Sequence, residues 1–353
     1  MQTDSVELSF LSIFSFITFF IFLIISKYSY KFNNSVLLDQ DFSKPQAFHN
    51  EAITRSGGVA SIISLFIFFG IYYLLFSKIL FEYVFLCTSL FLLGYLDDVK
   101  IKFSPNLRLI LMIILLIIFI IFLPIEVKYV DLIFLNSLLD NKIFSTIFIL
   151  LCFLFIVNGA NLIDGFNGLL AINLIIINSI LLFINLNNSQ FEFSFFLTAQ
   201  IIILISFLLF NFPKAKMFFG DSGAYLFGSL VALNTIFTNN LNSDISSFFF
   251  CILLFYLFFE VFFSFIRKIY EKKSPVFPDN KHLHMLSYKM IRNSFDANSA
   301  NYINSIFINF IFSLLVIPSV FYAENSVICR YWFFSLIIVY LIFYIFLKKS
   351  DKV

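Results

Sequence analysis

Residues 143–186 read IFSTIFILLCFLFIV, then NGANLIDGFNGL, then LAINLIIINSILLFINL. Two apolar runs enclose a polar island that holds Asn158, Asn161, Asn167, Asp164 and the glycines Gly159, Gly165 and Gly168. A turn between two helices is satisfied by one or two Gly or Asn residues. The surplus of carboxamide and carboxylate predicts that something polar is bound at this junction. The flanking runs predict helices that bury no water, and the rest of the chain repeats their pattern.

Of 353 residues, 61% are hydrophobic and 12% charged, with a mean hydropathy of +0.97. Soluble domains average about 25% charged and about 45–50% apolar residues. The chain therefore reads as an all-α polytopic membrane protein. A net charge of +2 gives no reason to expect a nucleic-acid partner. Cys87, Cys152, Cys251 and Cys329 lie in or beside apolar runs without pairing or metal spacing, and read as small core residues. The start, MQTDSVE, is acidic, and the apolar run after it is about a full span long. That pattern is unlike a cleaved signal peptide and predicts a retained first helix.

A span needs about 20 mostly apolar residues. Eleven runs qualify: 8–26, 59–76, 79–96, 107–123, 143–157, 168–186, 193–212, 222–237, 246–266, 303–323 and 331–347. Ten is the alternative count, because the fifth is short and the eighth carries Ser, Gly and Asn. No inverted repeat, heptad pattern or soluble segment divides residues 1–353, which read as one integral membrane domain. With the N-terminus outside, 19 of the 23 Lys and Arg residues fall on the inner side, leaving Lys78, Lys128, Lys142 and Arg330 outside. This agrees with the positive-inside rule. It also puts every polar cluster of interest, at 39–58, 94–106, 158–167, 213–223 and 274–284, on the cytoplasmic face.

Each cluster has a chemistry and a plainer alternative. Asp97 and Asp98 sit at the end of a helix, where the macrodipole disfavours anions. A hard cation such as Mg²⁺ would relieve them, whereas a solvated loop start would need no ligand. Asn161 and Asp164 are three residues apart, which makes them neighbours on one turn if the helix continues that far. The alternative is an Asx-rich turn capped by Gly165. Asp221, in Phe218-Phe219-Gly220-Asp221-Ser222-Gly223, is a ready N-cap, but a glycine-flanked helix start also suits phosphate. His282 and His284 form an H-x-H pair beside Lys281; without a Cys or a third close His, phosphate contact fits better than zinc. Arg55 precedes Gly57 and Gly58, a guanidinium next to flexible backbone. Glu260 lies inside an apolar run, either as a functional acid or as an anchor to a neighbouring helix.

In this order the clusters resemble the polyprenyl-phosphate N-acetylhexosamine-1-phosphate transferases, glycosyltransferase family 4, over about residues 39–285. The carrying motifs are H-x₅-R-x-G-G (His49, Arg55, Gly57, Gly58), the Asp97-Asp98 pair and N-x-x-N-x-x-D-G (Asn158, Asn161, Asp164, Gly165). Two more are G-D-S-G (Gly220 to Gly223) and S-P-x-x-P-D-x-x-H-x-H (Ser274 to His284). The last is the form found in the sugar transferases, ahead of the phospho-MurNAc-pentapeptide transferases. Ile101, Met285 and Thr54 depart from residues usual in the family, and bear on the donor rather than on the reaction class.

The resemblance implies transfer of sugar-1-phosphate from a UDP-sugar to a membrane polyprenyl phosphate, in the bacterial inner membrane, with Mg²⁺ or Mn²⁺. A homodimer is compatible with it. It implies Asp221, with Asn161, as metal ligands, and Asp97, Asp98, Asp164, His282 and His284 as catalytic groups. His49, Arg55, Asn158, Asn161 and Lys281 would bind substrate. A secondary transporter is the rival of a different class. It would need acids at the bilayer midplane and repeat symmetry, whereas here only Glu260 is deep.

The orientation makes a prediction. A cysteine at Asp244, in a background lacking the native four, reacts with an impermeant thiol reagent on intact cells, and one at Asn280 reacts only after lysis. The reverse labelling would invert the topology.

Overall fold

The computed structural model describes residues 2–32, 37–39, 52–101, 103–275, 277 and 279–350. In chain order the elements are α1 (Gln2–Phe32), β1 (Leu38–Asp39), β2 (Ile53–Thr54), α2 (Gly57–Phe76), α3 (Phe81–Asp98), α4 (Pro105–Phe122) and α5 (Ile133–Leu139). There follow α6 (Lys142–Ile163), α7 (Leu169–Asn187), α8 (Phe191–Asn211), α9 (Gly220–Leu241), α10 (Ser247–Leu253) and α11 (Phe255–Tyr270). The chain ends with α12 (Leu283–Arg292), α13 (Ala297–Val316), a 3₁₀ turn (Ile317–Tyr322) and α14 (Ser326–Ser350). Each of the eleven apolar runs lies on helix, so the protein is all-α and polytopic. Among the described residues, eight helices are long and apolar enough to cross a membrane, or nine if the bent α10–α11 pair is one span. The two long helices outside that set are α3, which carries Glu82, Asp97 and Asp98, and α9, rich in Gly, Ser, Thr and Asn.

These two are less apolar because lipid does not surround them. Almost every side chain of α9 is buried, and it packs most extensively on α3 and α6. On α3 the buried residues Tyr83, Leu86, Cys87, Leu90, Leu93, Gly94 and Asp98 follow the helical repeat and face α9. The outer helices reverse the pattern of a soluble protein. On α4, Met112, Leu116, Phe119 and Ile120 are buried, while Ile110, Ile114, Ile118 and Ile121 form an exposed stripe. An apolar face on each side suits a helix between protein and lipid.

Buried hydroxyls such as those of Ser64 and Thr235 bond carbonyls of their own helix, while several amides pair across helices. Tyr83 Oη donates to Asn234 Oδ1 at 3.0 Å, and Asn234 Nδ2 donates to Gln200 Oε1 at 2.8 Å and Asn178 Oδ1 at 3.1 Å. This joins α3, α7, α8 and α9. At the other end of α9, residues 53–58 are laced to 217–219. Thr54 bridges Met217, Phe218 N–H donates to Thr54 O at 2.8 Å, and Gly57 and Gly58 donate to Phe218 O and Phe219 O at 2.9 and 3.0 Å.

Two elements differ from expectation. The run 143–157 continues as α6 to Ile163, so half of the polar island is helix and its asparagines project from a regular surface. The run 246–266 breaks at Leu254, and the halves meet at 76°. No Pro or Gly marks the break. It is a product of packing: α11 lies along α6, while α10 lies against α14.

Closeness of α3 and α9 depends on Gly94, where an added Cβ would sit 2.5 Å from the backbone of Asp221 and Ser222. Backbone cannot swing aside as a side chain can. Gly94→Ala therefore lowers stability by about 1–3 kcal/mol, read as a lower melting temperature in detergent. An unchanged melt would contradict the packing.

Candidate functional site

The site starts from two helix ends that meet. The first N–H groups of α9 have no partner within the helix, and the residue before it, Phe219, has no side chain to cap them. Asp98, at the last residue of α3, supplies the cap. Its Oδ1 accepts from Asp221 N–H and its Oδ2 from Ser222 N–H, both at 3.0 Å. Gly220 takes φ +71°, and an added Cβ there would lie 2.5 Å from Asp98 Oδ2, so only glycine lets the carboxylate approach. Expected as a candidate N-cap, Asp221 instead sits in the first turn with its carboxylate free to face elsewhere.

It faces a guanidinium and an amide. Arg108 Nη1 donates to Asp221 Oδ2 at 2.7 Å and to Asp97 Oδ2 at 2.9 Å. Asn161 Nδ2 donates to Asp221 Oδ1 at 3.0 Å. Sequence reasoning used Arg108 only as a positive charge. The overlooked signal is its place in the first turn of α4, after Ser104 and Pro105, where Ser104 Oγ caps Leu107 N–H at 3.2 Å. A cation at a helix N-terminus opposes the dipole and so calls for an anion nearby.

Arg55 arrives on the strip laced to 217–219. Its guanidinium bonds Asp39 Oδ2 at 2.7 and 3.1 Å and lies 3.5 Å from Asp98 Oδ1. Burial disfavours its charge, yet Asp39, Asp221 and Asp98 hold it more firmly protonated than usual. Asp164 caps the end of α6, and no hydrogen bond to its carboxylate is found among the described residues. Burial, then the charges of Asp221 and Asp98, push its carboxyl well above the usual range. Asn158, one turn before Asn161, looks inward: its Nδ2 donates to Leu154 O at 2.7 Å and approaches Met112 Sδ at 3.7 Å.

The histidines form a second cluster. His282 Nδ1 lies 3.0 Å from Glu260 Oε1, and its Nε2 lies 3.2 Å from Asp279 Oδ1. Although burial works against it, Asp279 is held below the usual carboxylate range by Arg267, at 2.7 and 3.2 Å. Lys268 Nζ donates to Pro275 O and Phe277 O at 3.2 and 2.7 Å, fastening the same loop. Lys281 is paired with Glu271 at 2.9 Å. His284 is fully buried, with Nδ1 3.2 Å from Tyr256 Oη and Nε2 without a partner among the described residues. Burial lowers its pKa to about 3, so it is neutral. Phe166, two residues after Asp164, reaches this second cluster, its ring centroid 5.9 Å from that of His284. His49 lies outside the described residues.

Asp97, Asp98, Asp221, Asn161 and Arg55 are thus brought together with Arg108, and Asp164 stands within their field. His282, Lys281 and Asn158 are already engaged by other protein groups. Among the described residues, no three Asp, Glu, His or Cys groups stand as a finished ligand set. The donor chemistry nevertheless suits a hard cation, because the Asp97 and Asp221 carboxylates already converge on one positively charged nitrogen.

A family model described as glycosyl transferase family 4 matches residues 80–239, which contain Asp97, Asp98, Arg108, Asn161, Asp164 and Asp221. The chain is 31% identical over 232 residues to the phospho-N-acetylmuramoyl-pentapeptide-transferase of Dictyoglomus turgidum, covering 62% of this chain and 71% of that one. The chain belongs to glycosyl transferase family 4. It is also similar, at 29% identity over 269 residues, to the undecaprenyl-phosphate alpha-N-acetylglucosaminyl 1-phosphate transferase of Thermotoga maritima. That match covers 76% of this chain and 77% of the relative.

The two adjacent aspartates differ in what they hold, and their variants should separate. Asp98→Ala strands two buried N–H groups and lowers stability by about 2 kcal/mol or more. Asp97→Ala, which loses a contact to the partly exposed Arg108 and strands no buried N–H, costs less than half of that. Equal melting temperatures for the two variants would refute the assignment of the cap.

Proposed function

We propose that the chain transfers an N-acetylhexosamine-1-phosphate from a UDP-sugar to polyprenyl (undecaprenyl) phosphate at the cytoplasmic face of the bacterial inner membrane. UMP is released and a lipid-linked surface glycan begun. The observation that carries the reading is the convergence of Asp97 and Asp221 on the Arg108 nitrogen, at 2.9 and 2.7 Å, where helices end rather than mid-span. A polyprenyl phosphate keeps its chain in lipid and its charged head at that level.

In the proposed reaction an oxygen of the acceptor phosphate attacks the phosphorus that carries the sugar. The new P–O bond forms as the bond to the UMP oxygen breaks, and that oxygen leaves with UMP. A phosphomonoester's second pKa is about 6, so no strong base is required. Phosphoryl transfer depends mainly on positioning and charge neutralisation. Arg55 and Arg108 offer guanidinium groups to phosphate oxygens. Asp98 keeps the start of α9 in place, so Asp221 points into the site. Asp221, Asn161 and Asp97 would hold Mg²⁺, or Mn²⁺ in its stead, and the ion would supply neutralisation of the diphosphate. Asp164, with Asn161 of α6, lines the cleft for the nucleotide.

A second reading, transfer of phospho-N-acetylmuramoyl-pentapeptide, is favoured by the 31% identity to a relative of that name. The Ser274–His284 loop, in its sugar-transferase form, favours the first. The two are separated by offering membranes undecaprenyl phosphate, Mg²⁺ and labelled UDP-N-acetylhexosamines or the muramoyl-pentapeptide nucleotide. We expect lipid-soluble label from an N-acetylhexosamine donor, and Asp221→Asn to reduce it by about 10²-fold, the scale of losing one electrostatic group. Label from the pentapeptide donor alone would select the second reading. Label independent of Mg²⁺ and of Asp221 would reject both metal and mechanism.

A further inference from the structure

Glu260 is 1% exposed within α11, and both of its oxygens are committed. Oε1 accepts from Leu283 N–H at 3.1 Å, capping α12, and lies 3.0 Å from His282 Nδ1. Oε2 accepts from Tyr340 Oη at 2.7 Å, an arm from α14. Tyr256, one helical turn earlier on the same face of α11, meets His284 Nδ1 at 3.2 Å. The two imidazoles lie parallel, 4° apart in plane with centroids 5.5 Å apart. One helix face therefore grips both rings by the same nitrogen, and the burial and the Tyr340 bond leave Glu260 no freedom to retreat.

A carboxylate can only accept, so Glu260 at Nδ1 holds a hydrogen on that nitrogen and sets the ring plane, against Asp279, which lies 3.2 Å from Nε2 and competes for a hydrogen there. We infer that Glu260 is a positioning residue for the reaction. It holds His282 with its hydrogen on Nδ1, and through the stacked pair it sets His284, whose Nε2, without a partner among the described residues, is left for a substrate oxygen. The inference rests on the transferase reading above. A plain anchor between α11, α12 and α14 would use the Leu283 and Tyr340 bonds alone and would be indifferent to the histidine hydrogens.

Glutamine has the size of glutamate, but its amide can donate as well as accept, so Glu260→Gln lets Asp279 draw the hydrogen to Nε2 while keeping partners for Leu283 and Tyr340. The chain has three histidines, so ¹⁵N-histidine spectra of the full-length protein in detergent are readable, and His49→Gln leaves only the pair. We expect His282 to show Nδ1–H in the native protein and a mixed or shifted pattern in Glu260→Gln. The same variant lowers kcat by about 10- to 100-fold, as loss of an orienting partner does, with KM for the UDP-sugar near native and melting within a few degrees. Glu260→Asp, which keeps an acceptor-only group, recovers part of kcat and the native tautomer. If Glu260→Gln leaves the histidine signals and kcat per folded molecule unchanged and only lowers melting, Glu260 is an anchor and the inference fails. If the native protein transfers no sugar phosphate at all, the transferase reading fails instead, and the spectra still decide whether Glu260 sets the ring.

Discussion

The structure depends on one carboxylate at one helix end. The N-terminus of α9 is buried in the middle of the bundle, where its free N–H groups cannot turn to water. Asp98 meets two of them at 3.0 Å. The pairing also sets the partially negative end of α3 against the partially positive start of α9, so the α9 dipole relieves an acid that the α3 dipole disfavours. The same device recurs: Glu260 caps α12 through Leu283 N–H, and Asp131 reaches Phe248 N–H at the start of α10. In each case the acid comes from outside the helix it caps. Helices are thereby tied to one another at the points where chemistry can be placed.

With its own capping role taken by Asp98, Asp221 is released for the site. What it meets is another case of charges that are wrong locally and right together. Asp97 opposes the dipole of α3, and Arg108 opposes that of α4; their contact at 2.9 Å removes both conflicts. Asp221 joins the same nitrogen at 2.7 Å. An arginine between two acids, with Arg55 alongside, gives a cluster of mixed sign. Such a cluster can exchange partners when a charged ligand enters, without leaving any charge bare.

Around this the bundle is graded by polarity. Lipid-facing α4 is apolar on every side beyond its first turn, while α9, shielded by its neighbours, carries Asn234 in a network with Tyr83, Gln200 and Asn178. In an apolar surround an amide network is directional where dispersion is not, so it specifies which helices are adjacent. The aspartate cluster lies at one end of that core, the amide network farther along it, and the protein needs both.

Read alone, the sequence determined the class: composition and run length dictate a helical membrane protein because lipid allows no unpaired backbone. Each apolar run it marked is on helix. It also marked the acids, since Asp97, Asp98, Asp164 and Asp221 stand where an apolar chain has no ordinary use for them. Tertiary structure alone decided how those acids divide their work. Whether Asp98 or Asp221 caps α9, and whether His282 or His284 keeps a free nitrogen, depends on which helix ends meet, and residues 123 or 22 positions apart carry no local trace of it. The break at Leu254 and the reach of Arg108 were hidden for the same reason: both are settled by a neighbouring helix, not by the residues beside them. The polar island at 158–169 shows both sides. Its excess of amides was legible as a site, but only the continuation of α6 to Ile163 turned Asn161 toward Asp221 and Asn158 away.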